Sequence, residues 1–125
     1  MVFTELRVTF GGASRVSDLA VFTWDRVLVG DDGEVVDDVN APPDIAIEIV
    51  SPEQSLAGQM RRGTWYVANG VRIALVVNPA DHSVRHFRPG VDAQLLRGSD
   101  SIDLAEVLPG FELTVDRLFE ALRLR

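Results

Sequence analysis

The sequence predicts a mixed α/β fold, a β-sheet with one central helix after its third strand and a second helix at the C-terminus. Three observations lead to it. Strand-sized apolar runs recur along the chain, Ile45–Val50 and Ile73–Val77 being the most continuous. A segment of helical periodicity with its own start and stop signals lies between those two runs. From Val115 onward, apolar residues again repeat at helical spacing.

Taken in order, Phe3–Phe10 alternates apolar and polar residues as a half-buried strand does, and Gly11-Gly12 turns the chain. Leu19–Trp24 is apolar and β-prone, a second strand that can resume at Val27–Val29. A turn-rich acidic loop follows, from Gly30-Asp31-Asp32-Gly33-Glu34 irregularly to Pro42-Pro43. Asp44–Val50 is the third strand, with Ile45, Ile47 and Ile49 on one face and Asp44, Ala46, Glu48 and Val50 on the other. Ser51-Pro52-Glu53-Gln54 reads as a capping box opening the helix, and Ser55 as a later cap. Leu56, Met60, Gly63 and Val67 mark its apolar face, and Asn69-Gly70 its stop. Arg72–Val77 is a fourth, buried strand. Pro79–His82 turns into a fifth, Ser83–Arg88, and Ala93–Arg97 is the sixth. After Leu108-Pro109-Gly110 a short extended Phe111–Thr114 leads into a helix from Val115 to Leu124. The order is β-β-β-α-β-β-β-α.

Composition narrows the chemistry. The chain has 125 residues, 46% apolar and 25% charged, a balance that suits one soluble globular domain. All twelve basic residues are arginine, which excludes a lysine nucleophile, Schiff base or P-loop lysine. There is no cysteine, so thiolate metal sites and disulfides are excluded too. The apolar runs are too short for a membrane span, and MVFTELRVTF lacks the pattern of a signal peptide. A cytoplasmic location is the expectation. The net charge of −7 argues against a general nucleic-acid coat while leaving room for a local basic groove.

One residue needs a chemical reason. Glu48 stands in the middle of a strand that reads as buried, and a glutamate there must be paired or metal-bound. Asp44 shares its face but lies about 13 Å along the strand, too far to share one ion. If the second and third strands form an antiparallel hairpin centred on Gly33, Asp18 falls directly opposite Glu48. Opposed side chains lie about 5 Å apart on one face, suitable for two oxygens on one Mg²⁺. The alternative is that Glu48 pairs with an arginine across the sheet.

The run Pro43-Asp44-Ile45-Ala46-Ile47-Glu48-Ile49-Val50-Ser51-Pro52, then Arg62-x3-Tyr66-x3-Gly70-Val71, resembles the Uma2 family (DUF820). The resemblance continues through Leu75-Val76-Val77-Asn78-Pro79 and Leu108-Pro109-Gly110-Phe111, over nearly the whole chain. It implies a restriction endonuclease-like domain of the PD-(D/E)XK superfamily spanning 1–125, without the N-terminal helical segment common in the family. It also implies metal-dependent hydrolysis of phosphodiester bonds, with DNA the foremost substrate, and a homodimer. Carried over by position, Asp18 and Glu48 would hold Mg²⁺ or Mn²⁺. Arg62 would take the place of the active-site lysine, as a phosphate-facing cation. Asp44 and Tyr66 are secondary candidates.

The departures from the family pattern matter as much. Ser17 replaces the first proline, Gly58 a common acidic residue, Ala74 an aromatic and Asn78 an aspartate. Arg62 is the serious change, because a guanidinium steadies an anion but does not readily accept a proton. The resemblance therefore carries two readings, an active endonuclease of weakened activity and an inactive module that binds nucleic acid or a protein partner. Other signals read as structural. His82 and His86 belong to a surface strand and its turn, too far apart to chelate jointly. The acidic loop is a solvated hairpin tip. Trp65 and Tyr66 pack into the core, with Arg61 and Arg62 along the helix surface.

Overall fold

The computed structural model describes residues 2–4, 7–10, 13–16, 19–22, 38–39 and 42–123. Its strands are β1 (Val2–Thr4), β2 (Arg7–Phe10), β3 (Ala13–Val16), β4 (Leu19–Val21), β5 (Asp38–Val39) and β6 (Ile45–Ile49). Helix α1 (Leu56–Ala68) follows, then β7 (Ile73–Asn78), β8 (Ser83–Arg88), β9 (Val91–Arg97) and helix α2 (Val115–Arg123). A six-stranded sheet has the order β1-β4-β6-β7-β8-β9, beside a three-stranded sheet β3-β2-β5. The α/β class and both helices agree with the expectation.

The N-terminal third is more divided than the sequence suggested. Phe3–Phe10 is two strands, because β1 pairs with β4 in the large sheet while β2 pairs with β3 and β5 in the small one. Strands β3 and β5 have no counterpart in the expectation, being short and without alternation. The central helix consequently follows the sixth strand in chain order instead of the third. Gly11-Gly12, residues 23–37 and Leu124 lie outside the described residues. Phe111–Thr114, expected as a short extended stretch, makes one isolated bridge, Ser101 to Thr114, after a turn in which Phe111 N–H donates to the Leu108 carbonyl.

The centre of the sheet is a β-α-β crossover. Strands β6 and β7 run parallel, Ile45 beside Ile73 and Glu48 beside Val76, and α1 connects them across one face. Parallel strands need such a connection, and burial on both faces explains why β7 is apolar at Ile73–Val77. The helix starts at Ser55, whose hydroxyl accepts from Gly58 N–H at 3.0 Å. Ser51 and Gln54 instead close a turn just ahead of it, Ser51 N–H donating to Gln54 Oε1 at 3.0 Å. Of the two capping candidates, Ser55 caps the helix. Asn69 ends it, and Gly70 turns the chain away at φ 105°, a conformation that favours glycine.

Two apolar layers sandwich the sheet. On the α1 side Ala46, Ala74, Val76 and Phe87 pack with Tyr66. On the other, Ile45, Ile73, Leu75 and Val77 meet Val115 and Phe119 of α2. Among the described residues, no helix is long and apolar enough to cross a membrane.

Helix α1 comes close to the sheet at Gly63. A Cβ there would stand 2.7 Å from the Phe87 ring, and Phe87 is paired in register with Ala74. The small residues at 63 and 74 thus make room for one aromatic. Gly63→Ala gains about 1 kcal/mol in helix propensity, but overpacking of this kind costs about 1–3 kcal/mol. A net loss of stability is expected, seen as a lower urea midpoint with unchanged slope. Combining it with Phe87→Leu should shrink the cost of the alanine; strict additivity of the two would contradict this packing.

Candidate active site

Glu48 points from β6 toward α1 and is only 3% exposed. Its parity with Ala46 places it on the α1 side, and α1 supplies the groups that receive it. Arg62 and Tyr66, four residues apart, share one stripe of the helix. The Tyr66 hydroxyl donates to Glu48 Oε1 at 2.6 Å. Arg62 Nη2 stands 2.9 Å from the same oxygen and donates to the Tyr66 hydroxyl oxygen at 3.1 Å. The three side chains close a triangle.

Burial makes this triangle necessary. A lone carboxylate in such surroundings would be costly, and a guanidinium with a phenol hydroxyl supplies charge and hydrogen bonds together. Tyr66 is 1% exposed and Trp65 packs edge-on against it, centroids 5.6 Å apart at 71°. The Arg62 side chain keeps 30% exposure, so one end of the triangle opens toward water. Glu48 does pair with an arginine, as the alternative reading held, but the arginine comes from the helix.

Asp44 does not join the group. It sits at the opposite end of β6, 1% exposed, with Oδ1 3.5 Å from Arg72 Nη1. Arg72 also donates from Nη2 to the Glu106 carbonyl at 2.8 Å, tying the start of β7 to the loop below the sheet. This partnership was missed from sequence, although the parallel offset pairing Ile45 with Ile73 also brings 44 beside 72.

Asp18 lies outside the described residues. The register that pointed to it is present in the described ladder, where Leu19, Ala20 and Val21 pair with Ile47, Ala46 and Ile45, symmetrically about position 33. That ladder's last described pair is one residue short of Glu48.

The histidines do other work. His82, at φ 51° in the turn before β8, stacks on Phe119 at 4.7 Å. His86 is buried on β8, where the expectation put it at the surface, and its Nε2–H donates to the Asp103 carbonyl at 2.8 Å. Asp81 accepts from the Ser83 hydroxyl, which holds its pKa below the usual carboxylate range, with Arg97 adding to the effect. Among the described residues, no three His, Cys, Asp or Glu side chains converge as a metal cluster.

A model of the family described as "Uma2: Putative restriction endonuclease" matches residues 1–116. The chain belongs to the Uma2 family. A crystal structure of a "putative nuclease belonging to DUF820" from Anabaena variabilis superposes with a TM-score of 0.87. The two are 28% identical, and the match covers 97% of this chain and 68% of that one. No curated protein matches. Family membership and the shared fold support a nuclease-like function for this Uma2 chain.

The hydrogen bond from Tyr66 to a buried carboxylate is of the charge-assisted kind, worth about 1.5–3 kcal/mol. Tyr66→Phe is therefore expected to lower thermal stability measurably, and Glu48→Gln should remove most of that sensitivity. A Tyr66→Phe protein as stable as the wild type would show that the phenol is not holding Glu48 in solution.

Proposed function

We propose that the chain is a Mg²⁺- or Mn²⁺-dependent endonuclease that hydrolyses phosphodiester bonds, with DNA as the substrate to test first. The observation that carries this reading is the buried Glu48 carboxylate, held at a place that already accommodates a cation, in a chain of the Uma2 family. Its hard oxygens suit a divalent ion, and Glu48, with Asp18 as second carboxylate, would hold it. Such an ion, when bound, polarises the phosphate and lowers the pKa of a coordinated water.

The protein's own groups have separable tasks. Tyr66 fixes the Glu48 carboxylate through a 2.6 Å hydrogen bond. Arg62, the one member of the triangle with substantial exposure, is placed to steady the negative charge of a phosphate. It stays protonated and so cannot take a proton from water, the step for which a lysine would serve.

A second reading rests on that same residue. With no lysine in the chain and Arg62 engaged with Glu48, the domain can instead be an inactive module that binds nucleic acid or a protein. Cytoplasmic location and a homodimer are part of the proposal. For the dimer, β9 ends the large sheet and carries exposed Val91 and Leu95, an edge that a second copy could extend.

Cleavage of plasmid DNA should require added Mg²⁺ or Mn²⁺, stop with chelator and be lost in Glu48→Ala. Arg62→Lys should raise the rate by restoring a group able to exchange a proton. Wild-type activity in Glu48→Ala would overturn the site, while DNA binding without cleavage by any of these proteins would select the module. For the dimer, sedimentation equilibrium should give twice the chain mass, and Leu95→Lys should reduce it.

A further inference from the structure

A second opening lies at the carboxyl ends of the parallel strands β6 and β7, where the chain passes into α1. It is a cleft of about 500 Å³ walled by Val50, Pro52, Leu56 and Pro79, with Gln54 and Asn78 in its lining. In open α/β sheets the crevice beyond the carboxyl ends of the strands is a common ligand site. Its position relates it to the triangle. Val50 shares the face of Glu48 and lies two residues, about 7 Å, farther along the chain. Its N–H continues the ladder to the Val77 carbonyl at 2.9 Å. Asn78 likewise stands two residues beyond Val76, the register partner of Glu48.

The polar groups of this cleft are set in one sense. Asn78 is only 8% exposed, and its Oδ1 accepts from Ala80 N–H at 3.2 Å. Its Nδ2 has no partner among the described residues and faces the cleft that Asn78 lines. Gln54 repeats the pattern nearer the surface, Oε1 accepting from Ser51 N–H at 3.0 Å while Nε2 is unpaired. Turns hold both amide oxygens, and both amino groups are left to donate. A donor buried as deeply as that of Asn78 calls for an acceptor from outside the protein. The lining bears no charged side chain, and the Ser51 hydroxyl holds the carboxyl of Glu53, at the rim, below the usual carboxylate range. A free anion fits poorly beside that acid. A flat, neutral group with acceptors on its edge fits well, and every nucleobase carries carbonyl or ring-nitrogen acceptors.

We propose that the cleft is a nucleobase pocket, which takes one unpaired base of a bound strand while Asn78 Nδ2 donates to an acceptor on that base. This rests on the nuclease reading and adds to it a residue that selects the substrate. The offset from Glu48 to Val50 is the kind of span that separates a phosphate from the base of its own nucleotide. The apolar walls receive the faces of the base, and the amide reads its edge. Asparagine is what makes position 78 a reader. An aspartate would hold the same turn through one oxygen and present a second acceptor where the amino group now stands.

Fluorescence anisotropy tests the pocket, with Ca²⁺ in place of Mg²⁺ and again in chelator. Short single-stranded DNAs carrying one kind of base are compared with an abasic strand of equal length. Wild type is expected to bind at least one base-bearing strand about tenfold more tightly than the abasic one. Asn78→Asp keeps an oxygen for Ala80 N–H, so it should fold, and it should bring that ratio close to one. The ratio cancels the general effect of the added charge on affinity. An unchanged ratio in Asn78→Asp would overturn the pocket and leave the nuclease reading standing. So would a wild type that binds the abasic strand as tightly as the others, a result that needs no variant. If Asn78→Asp does not fold, Gln54→Glu at its exposed position carries the same comparison, and an unchanged ratio there counts against the pocket. Failure of wild type to bind any strand in either condition would overturn the nucleic-acid reading, and the pocket with it.

Discussion

Burying the Glu48 carboxylate constrains the centre of this molecule. A charged group at 3% exposure imposes conditions on every element that touches it. Helix α1 must bring a cation and a hydroxyl to the same oxygen, which fixes its rotation about its axis. Arg62 and Tyr66 then face β6, and the stripe carrying Gly63 falls against Phe87 of β8. One ion pair thus specifies how the helix sits on the sheet. The apolar contacts around it supply most of the driving force but are less particular about orientation.

The crossover explains how two residues far apart in sequence reach each other. Strand β6, helix α1 and strand β7 form a unit in which the parallel register leaves little freedom. That register creates two polar contacts at opposite ends of β6. At one end Asp44 meets Arg72, which anchors the loop around Glu106; at the other Glu48 meets α1. The first contact ties elements together. The second fastens α1 to the strand through Arg62 and Tyr66.

The parts of the fold legible from sequence were those with local signals. Strand β8 has its expected limits, and α1 stops at Asn69-Gly70 because a capping amide and a glycine at positive φ are unambiguous. The ladder between β4 and β6 kept the register inferred from symmetry about position 33, since a one-residue slip would invert every buried side chain. What was not legible depended on partners distant in sequence. The division of the first strand follows from its halves pairing in different sheets, and no alternation within Phe3–Phe10 records that. His86 is buried because the 101–104 segment folds over it and presents the Asp103 carbonyl. For the site, the sequence identified Glu48 as needing a partner, and Arg62 and Tyr66 as residues to watch. That these three would close on one oxygen needed the helix's rotation on the sheet, which no local sequence signal records.

The absence of lysine takes on a definite meaning here. An ammonium is a compact, strongly hydrated charge that can give up its proton, whereas a guanidinium holds its proton and spreads its donors over a planar fork. At position 62 the fork engages Glu48 and the Tyr66 hydroxyl through a single nitrogen. Arg62 sits at the open end of the triangle, its side chain 30% exposed. A permanent cation at this position pairs with the protein's own buried carboxylate. Asn78 shows the contrasting case. Its Oδ1 accepts from Ala80 N–H at 3.2 Å, so a neutral amide holds the turn after β7.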